Sequence, residues 1–138
     1  MRAIGIVGIA LLLCLTYAVA LAQTFPARPL RFVVGFTPGG GSDLVARLLG
    51  QKLTENTGQP VVVDNRPGAG GNLANEIVVK AAADAYTALI ASSSFTIQPA
   101  IYNNLSYKPQ TDFAPVSLAA SSPYLLVVHP LVAAQSVK

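Results

Sequence analysis

Three consecutive glycines, Gly39 to Gly41, lie between a short apolar run and an amphipathic run. Glycine lets the backbone approach a ligand closely and turn its amides outward. The helix predicted to start just after them adds unpaired N–H groups and the positive end of a helix dipole. This strand–loop–helix arrangement therefore predicts a binding place for an anion, either a carboxylate or a phosphate.

The rest of the chain repeats the alternation of strand, loop and helix. A run of three valines predicts a strand that is buried on both faces, because no polar residue alternates with them. Alternation of this kind predicts an α/β fold, with a mostly parallel sheet flanked by helices. The predicted strands are Leu30–Val34, Val61–Val63, Tyr86–Ala91, Val116–Leu118 and Tyr124–Val128.

The helices carry recognisable start and stop signals. Ser42 or Asp43 is predicted to cap the first helix, and Gly58 with Pro60 to end it. Pro99 fits the first turn of a short helix near residue 100. The apolar face of the first helix is predicted from the helical spacing of Leu44, Val45, Leu48, Leu49 and Leu53. A second helix is predicted from the spacing of Leu73, Ile77, Val78 and Ala81.

Three loops follow the first three strands: Thr37–Asp43, Asp64–Asn72 and Ser92–Thr96. The carboxyl ends of parallel strands lie at one edge of a sheet, so these loops are expected to converge there. Each loop is rich in glycine, serine or threonine and offers amide and hydroxyl donors with little bulk. The convergence predicts a pocket for a small anion.

Nucleotide chemistry finds little support in these loops. The lysine position of a phosphate-binding P-loop is held by Gly41, and Pro38 removes an amide that such a loop would use. Leu44 stands where the dinucleotide fingerprint needs a small residue. Positive charges are scattered, so the electrostatic footprint for nucleic acid is missing.

The candidates for catalysis are few, and no catalytic or metal-binding residue is predicted. His129 has no histidine or cysteine companion, which favours a structural or surface role. Ser92, Ser93 and Ser94 lack the Gly-x-Ser-x-Gly elbow of a nucleophile and are better used as hydrogen-bond donors. Asp43 is a general base or, more simply, a carboxylate at the helix start, with ligand contact open in either case. Asp64 with Arg66 reads as a solvated turn pair.

The N-terminus has the anatomy of a secretory signal peptide over residues 1–22. A basic start precedes an apolar run, and Ala20-Leu21-Ala22 predicts cleavage after Ala22. The alternative is a retained membrane anchor, which the length of the run permits. Cys14 is the single cysteine and lies inside the run, so an exported product would contain none. Export to the periplasm is expected.

These motifs resemble the Bug-type extracytoplasmic receptors of tripartite tricarboxylate transporters. The resemblance rests on the segment from Phe36 to Asp43, on Gly58 to Asn72, and on shorter matches that continue to Pro130. It implies a two-lobed periplasmic binding protein of type II that captures a small carboxylate or dicarboxylate for a membrane permease. Neither catalysis nor a cofactor is implied. The ligand-binding residues it implies are Phe36, Gly39, Gly40, Gly41, Ser42, Asp43, Ser92, Ser93 and Ser94.

The sequence also departs from the family pattern. Ala85 stands where the family commonly has glycine, and is strained by about 1 kcal/mol or more if its φ is positive. Gly35 replaces a frequent proline, and Ala74 a frequent glycine. Members of the family are roughly twice as long as the predicted mature chain, so the second lobe is expected to be largely missing.

The predicted organisation is a signal peptide over residues 1–22, an incomplete first ligand-binding lobe over 23–115, and a truncated start of the second lobe over 116–138. Two other functions stay open. One is a non-functional fragment of such a receptor. The other is a small α/β enzyme that acts on an anionic substrate, for which Asp43 and Asp64 are the available acid–base groups.

Overall fold

The computed structural model describes residues 25–133. The predicted signal peptide, its cleavage after Ala22 and Cys14 lie outside the described residues. Among residues 25–133, no helix has both the length and the apolar character needed to cross a membrane.

Three parallel strands form the centre of the fold. They are β1 (Leu30–Val34), β2 (Val61–Asn65) and β3 (Thr87–Ile90), arranged in the order β2-β1-β3. The register places Phe32 of β1 between Val63 and Ala88. The helix that follows β1 packs against β1 and β2, and the helix that follows β2 packs against β1 and β3. The predicted α/β class with a parallel sheet and flanking helices is confirmed.

The helices are α1 (Gly41–Thr57), α2 (Asn72–Val79) and α3 (Ser94–Ile101), and a 3-10 turn (Ala69–Gly71) precedes α2. As the sequence predicts, α1 ends at Gly58. This residue has a left-handed φ of 71°, and its N–H donates to the Thr54 carbonyl. Glycine takes this conformation without steric cost, which explains the position of the stop.

The main apolar core lies between α1 and the sheet. Phe32 and Val34 of β1 pack with Ala46 of α1, and a ring of half-buried apolar residues surrounds them: Phe36, Leu49, Leu53, Val61, Val63, Ala88 and Ile90. Val33 points to the other face of β1, since side chains alternate along a strand, and it too is fully buried. The central strand is therefore covered on both faces.

An aromatic cluster attaches residues 102–113 to α3. The rings of Phe95, Tyr107 and Phe113 lie with centroids 5.0 to 6.4 Å apart. Phe113 stands edge-on to the other two rings, an arrangement that aromatic pairs favour. The packed part of the described chain extends to this residue.

The prediction of two further strands is wrong. Val116–Leu118 and Tyr124–Val128 are neither helix nor strand, and all their residues are exposed. Strand-forming residues need a partner strand and a covered face, and within residues 25–133 these segments have neither.

The buried faces of two elements also differ from prediction. Val62 is 54% exposed, because β2 is an edge strand that α1 covers on one face only. On α1, Leu44 and Leu48 are more than half exposed, while Asp43, Ala46 and Gly50 are buried. The buried stripe follows the side chains that fit closely against β1 and β2, rather than the largest apolar side chains.

The helix starts are corrected as well. The N-cap of α1 is Gly40, not Ser42 or Asp43. Pro99 lies inside α3 rather than in its first turn, because the helix already begins at Ser94. Asp64 belongs to β2 and not to the turn that follows it.

Candidate functional site

The loop between β1 and α1 presents an open helix N-terminus. Gly40 caps α1 in an extended conformation, and no side chain among residues 25–133 caps the helix. A Cβ built at Gly39 or at Gly41 would meet no atom of the described residues within 4 Å, so this part of the chain leaves space beside both glycines. The first N–H groups of a helix have no intrahelical acceptor, and here an external anion has room to reach them.

Asp43 lies directly beneath this loop and is 3% exposed. One carboxylate oxygen accepts hydrogen bonds from Arg47 Nε and the Gly39 N–H, both at 2.9 Å, and the other accepts from Asn65 Nδ2 at 3.0 Å. The bond from Arg47, followed by that from Gly39, holds the pKa of Asp43 far below its usual range. The carboxylate thus stays ionised and holds the glycine loop against α1.

Asn65 ties the first two loops together. Its amide donates to the Phe36 carbonyl and to Asp43, each at 3.0 Å, from the last position of β2. The next residue, Arg66, donates its backbone N–H to the Val34 carbonyl at 2.7 Å. Sequence reasoning missed this role of Asn65. The available signal was its place at the carboxyl end of a strand next to the glycine-rich turn.

The second loop has an unusual backbone. Gly68, Ala69, Gly70 and Gly71 all have positive φ values, of 149°, 47°, 65° and 99°. Gly71 is buried where all three loops meet. A Cβ on Gly35 would lie 2.7 Å from Gly71 Cα. A Cβ on Gly71 would lie 3.6 Å from Ser94 Oγ and 3.7 Å from the Phe36 ring. The close approach of the loops therefore requires small residues at these positions.

The third loop is shorter than predicted, because α3 begins at Ser94. The hydroxyls of Ser92 and Ser94 share a hydrogen bond of 2.7 Å, and Ser94 faces the meeting point at Gly71. Ser93 is exposed, and its hydroxyl bonds to that of Tyr124 at 2.8 Å. The predicted convergence of the three loops is thus present, with Phe36 and Ser94 at its centre and Ser93 at its rim.

Two other groups lie apart from this meeting point. Asp64 accepts hydrogen bonds from both Arg31 and Arg66, so it forms a three-membered ion cluster rather than a solvated turn pair. The Arg31 bond, as the larger cause, lowers the pKa of Asp64. His129 is exposed, and its Nδ1 accepts the Leu131 N–H at 3.2 Å.

Comparison with known proteins decides the family. The sequence profile of the "tripartite tricarboxylate transporter family receptor" matches residues 45–138. The chain belongs to this receptor family. It is similar to the protein BugT of Bordetella pertussis, with 40% identity over 94% of this chain and 40% of that protein. A UPF0065 protein of Pseudomonas sp. is 44% identical over 77% of this chain and 32% of its own length.

Solved structures of periplasmic binding proteins share the fold of this family member. The periplasmic binding protein BugD matches with a TM-score of 0.63 and 40% identity, over 66% of this chain and 30% of that one. The malate-bound MatC protein of Rhodopseudomonas palustris matches with a TM-score of 0.60 and 37% identity, over 69% and 33%. A further protein of that organism, solved with adipate, gives a TM-score of 0.55 and 39% identity, over 63% and 29%. The chain spans two fifths or less of the length of the relatives it matches.

Proposed function

We propose that this chain binds a small carboxylate or dicarboxylate where its three glycine- and serine-rich loops meet. The uncapped N-terminus of α1, open beside Gly39 and Gly41, carries the proposal. A carboxylate there accepts hydrogen bonds from the free N–H groups and lies at the positive end of the helix dipole. Two structures similar to this chain were solved with malate and with adipate, which supports a carboxylate over a phosphate.

Each predicted binding residue has a part in this proposal. Gly40, Gly41 and Ser42 supply backbone donors at the helix start. The Gly39 N–H is used inside the chain, where its bond to Asp43 holds the loop in place. Phe36 borders the opening with its half-buried ring. Ser92 and Ser94, whose hydroxyls share a hydrogen bond next to Gly71, add hydroxyl donors from the third loop, and Ser93 adds one from its exposed position.

A receptor accounts for the acid–base groups better than an enzyme does. Hydrogen bonds from arginine lower the pKa of both Asp43 and Asp64, and a base with a lowered pKa accepts protons poorly at neutral pH. The comparisons also place the chain in a receptor family.

The cellular role follows from family membership and belongs to the same proposal. The solute is captured in the periplasm, after removal of residues 1–22, and passed to a membrane permease of the tripartite tricarboxylate type. Residues 23–115 act as a first ligand-binding lobe, and 116–138 belong to the start of a second. The change from packed to exposed residues after Phe113 supports this boundary.

Calorimetric titration of Gly40→Val with malate and adipate tests the binding site. The N-cap φ of Gly40 is −79°, so valine is compatible with the backbone, while its side chain covers the N–H groups. We expect the variant to lose binding and keep its fold. Gly58→Ala is the matched control at the other end of α1: its positive φ makes it lose about 1 kcal/mol of stability, and we expect its affinity to be unchanged. Equal affinities of Gly40→Val and the unmodified chain would contradict the proposal.

A further inference from the structure

A buried network of three polar side chains lies behind the second loop and takes no direct part in the proposed binding. Asn75 of α2, Gln98 of α3 and Tyr107 are each no more than 4% exposed. The three side chains form a closed triangle in which every hydrogen bond is 2.8 Å long. Buried polar groups are costly unless they are hydrogen-bonded, and a hydrogen-bonded network of this kind makes the surrounding structure rigid.

The network fixes the orientation of the Gln98 amide. Its oxygen accepts hydrogen bonds from Asn75 Nδ2 and from the Tyr107 hydroxyl. Its nitrogen must therefore face the other way, where it donates to the carbonyls of Gly70 at 3.0 Å and Ala69 at 3.3 Å. A rotated amide would place its oxygen against both carbonyls and lose the two hydrogen bonds to the turn.

The turn that Gln98 holds needs such support. Ala69 has a φ of 47°, a left-handed conformation that is unfavourable for a residue with a Cβ. Strained backbone persists only where the surrounding structure fixes it. The same turn carries Gly71, against which Gly35, Phe36 and Ser94 pack. A shift of this turn changes the spacing of all three loops.

We propose that Gln98 is a positioning residue for ligand binding, oriented by Asn75 and Tyr107, which holds the 3-10 turn so that the three loops keep their spacing. The effect on ligand affinity rests on the proposed function. The effect on the turn itself does not, because it concerns only contacts within the chain.

Hydrogen exchange of the Gly71 amide, which donates to the Gly68 carbonyl at 2.9 Å, reports on the turn directly. In Gln98→Met both carbonyl bonds are lost, and we expect exchange of Gly71 to rise about tenfold relative to Val34 of the central strand. Tyr107→Phe keeps the ring of the aromatic cluster and removes only the hydroxyl, so it should give a smaller rise in the same amide. Gln51→Met makes the same substitution on the exposed side of α1 and should change neither amide.

Malate affinity of the same variants separates the two claims. Selective exchange at Gly71 together with weaker malate binding supports the whole inference. If the variants show the selective rise in Gly71 exchange but the unmodified chain binds neither malate nor any other carboxylate, the positioning of the turn is supported and the proposed function is contradicted. In Tyr107→Phe, an equal rise in exchange at the Gly71 and Val34 amides overturns the positioning role. A result in which neither amide exchanges faster overturns it too. Both outcomes can be read even if Gln98→Met does not fold.

Discussion

Two five-residue segments of nearly the same character end up in opposite states. Leu-Arg-Phe-Val-Val forms β1, the central strand, and four of its five residues are buried. Tyr-Leu-Leu-Val-Val, residues 124–128, also consists of apolar residues and is rich in strand formers, yet it belongs to no strand and all its residues are exposed. The comparison shows that the strand propensity of a segment describes a surface suited to pairing, and that the pairing itself depends on partners.

The partners of β1 are easy to identify. Its register joins it to β2 on one side and β3 on the other, and the backbone N–H of Arg31 bonds to the Tyr86 carbonyl at 2.8 Å. Residues 124–128 have the bond between Tyr124 and the Ser93 hydroxyl, at the edge of the third loop. One side-chain contact fixes a position without covering apolar surface.

An aspartate introduced into each of the two segments should show the largest difference in stability between them. Val33→Asp places a carboxylate in a position with 0% exposure, and the cost of an unpaired buried charge exceeds the stability of a typical domain of this size. We expect loss of cooperative unfolding in a denaturant titration followed by circular dichroism. Val127 is 86% exposed, so Val127→Asp should leave the free energy of unfolding unchanged within about 0.5 kcal/mol.

A reversed result would be informative. If Val127→Asp reduces stability as much as a core substitution does, residues 124–128 pack against the rest of the chain in solution.

The packed region and residues 114–133 should also differ in how they respond to acid. Asp43 has a folded pKa below its unfolded value of about 4, so it stabilises the fold above that pH, and this stabilisation is lost as the pH falls. Asp43→Asn should lower the urea midpoint at pH 7, and its difference from the unmodified chain should shrink below about pH 4. Residues 114–133 contain no aspartate or glutamate, so their hydrogen exchange should lack this transition.

Glu55→Gln is the matched control, because Glu55 forms an exposed pair with Lys52. Surface pairs of this kind contribute about 0 to 1 kcal/mol, so the midpoint should move little at any pH. A difference between Asp43→Asn and the unmodified chain that persists undiminished into acid would show that the Asp43 charge is not what stabilises the loop.

The smallest predicted effect lies at the entrance to β3. Ala85 has a φ of 64°, which confirms the strain expected from the sequence. Ala85→Gly should relieve about 1 to 2 kcal/mol of strain. It should also lose roughly 0.4 to 1 kcal/mol through the entropy of the unfolded chain, so a net gain of about 1 kcal/mol or less in the free energy of unfolding is expected. Ala83→Gly lies two residues away without a positive φ, so it should give no gain, since added glycine mainly increases the entropy of the unfolded chain. If Ala85→Gly and Ala83→Gly change the free energy of unfolding equally in thermal unfolding experiments, Ala85 is not strained.

Much of the packed region could be predicted from local signals. The bounds of β1, the end of α1 at Gly58 and the meeting of the three loops follow from apolar runs, glycines and the geometry of parallel sheets. The polar partnerships could not be predicted in this way. Asn65 meets Asp43, and Gln98 meets Gly70, across long stretches of sequence, and no local pattern encodes which donor faces which acceptor. The exposed segment was misjudged for the same reason, since partners are a property of the fold.

If the open N-terminus of α1 binds a carboxylate where the three loops meet, the ligand must perturb the amides of that site. An amide-resolved NMR titration of the chain with malate, compared with sodium chloride at equal ionic strength, measures this perturbation. We expect saturable shifts at Gly40, Gly41 and Ser42, together with Ser94, and none at Gly58 or Val127. Shifts that chloride reproduces, or that are confined to residues 114–133, would contradict binding at this site.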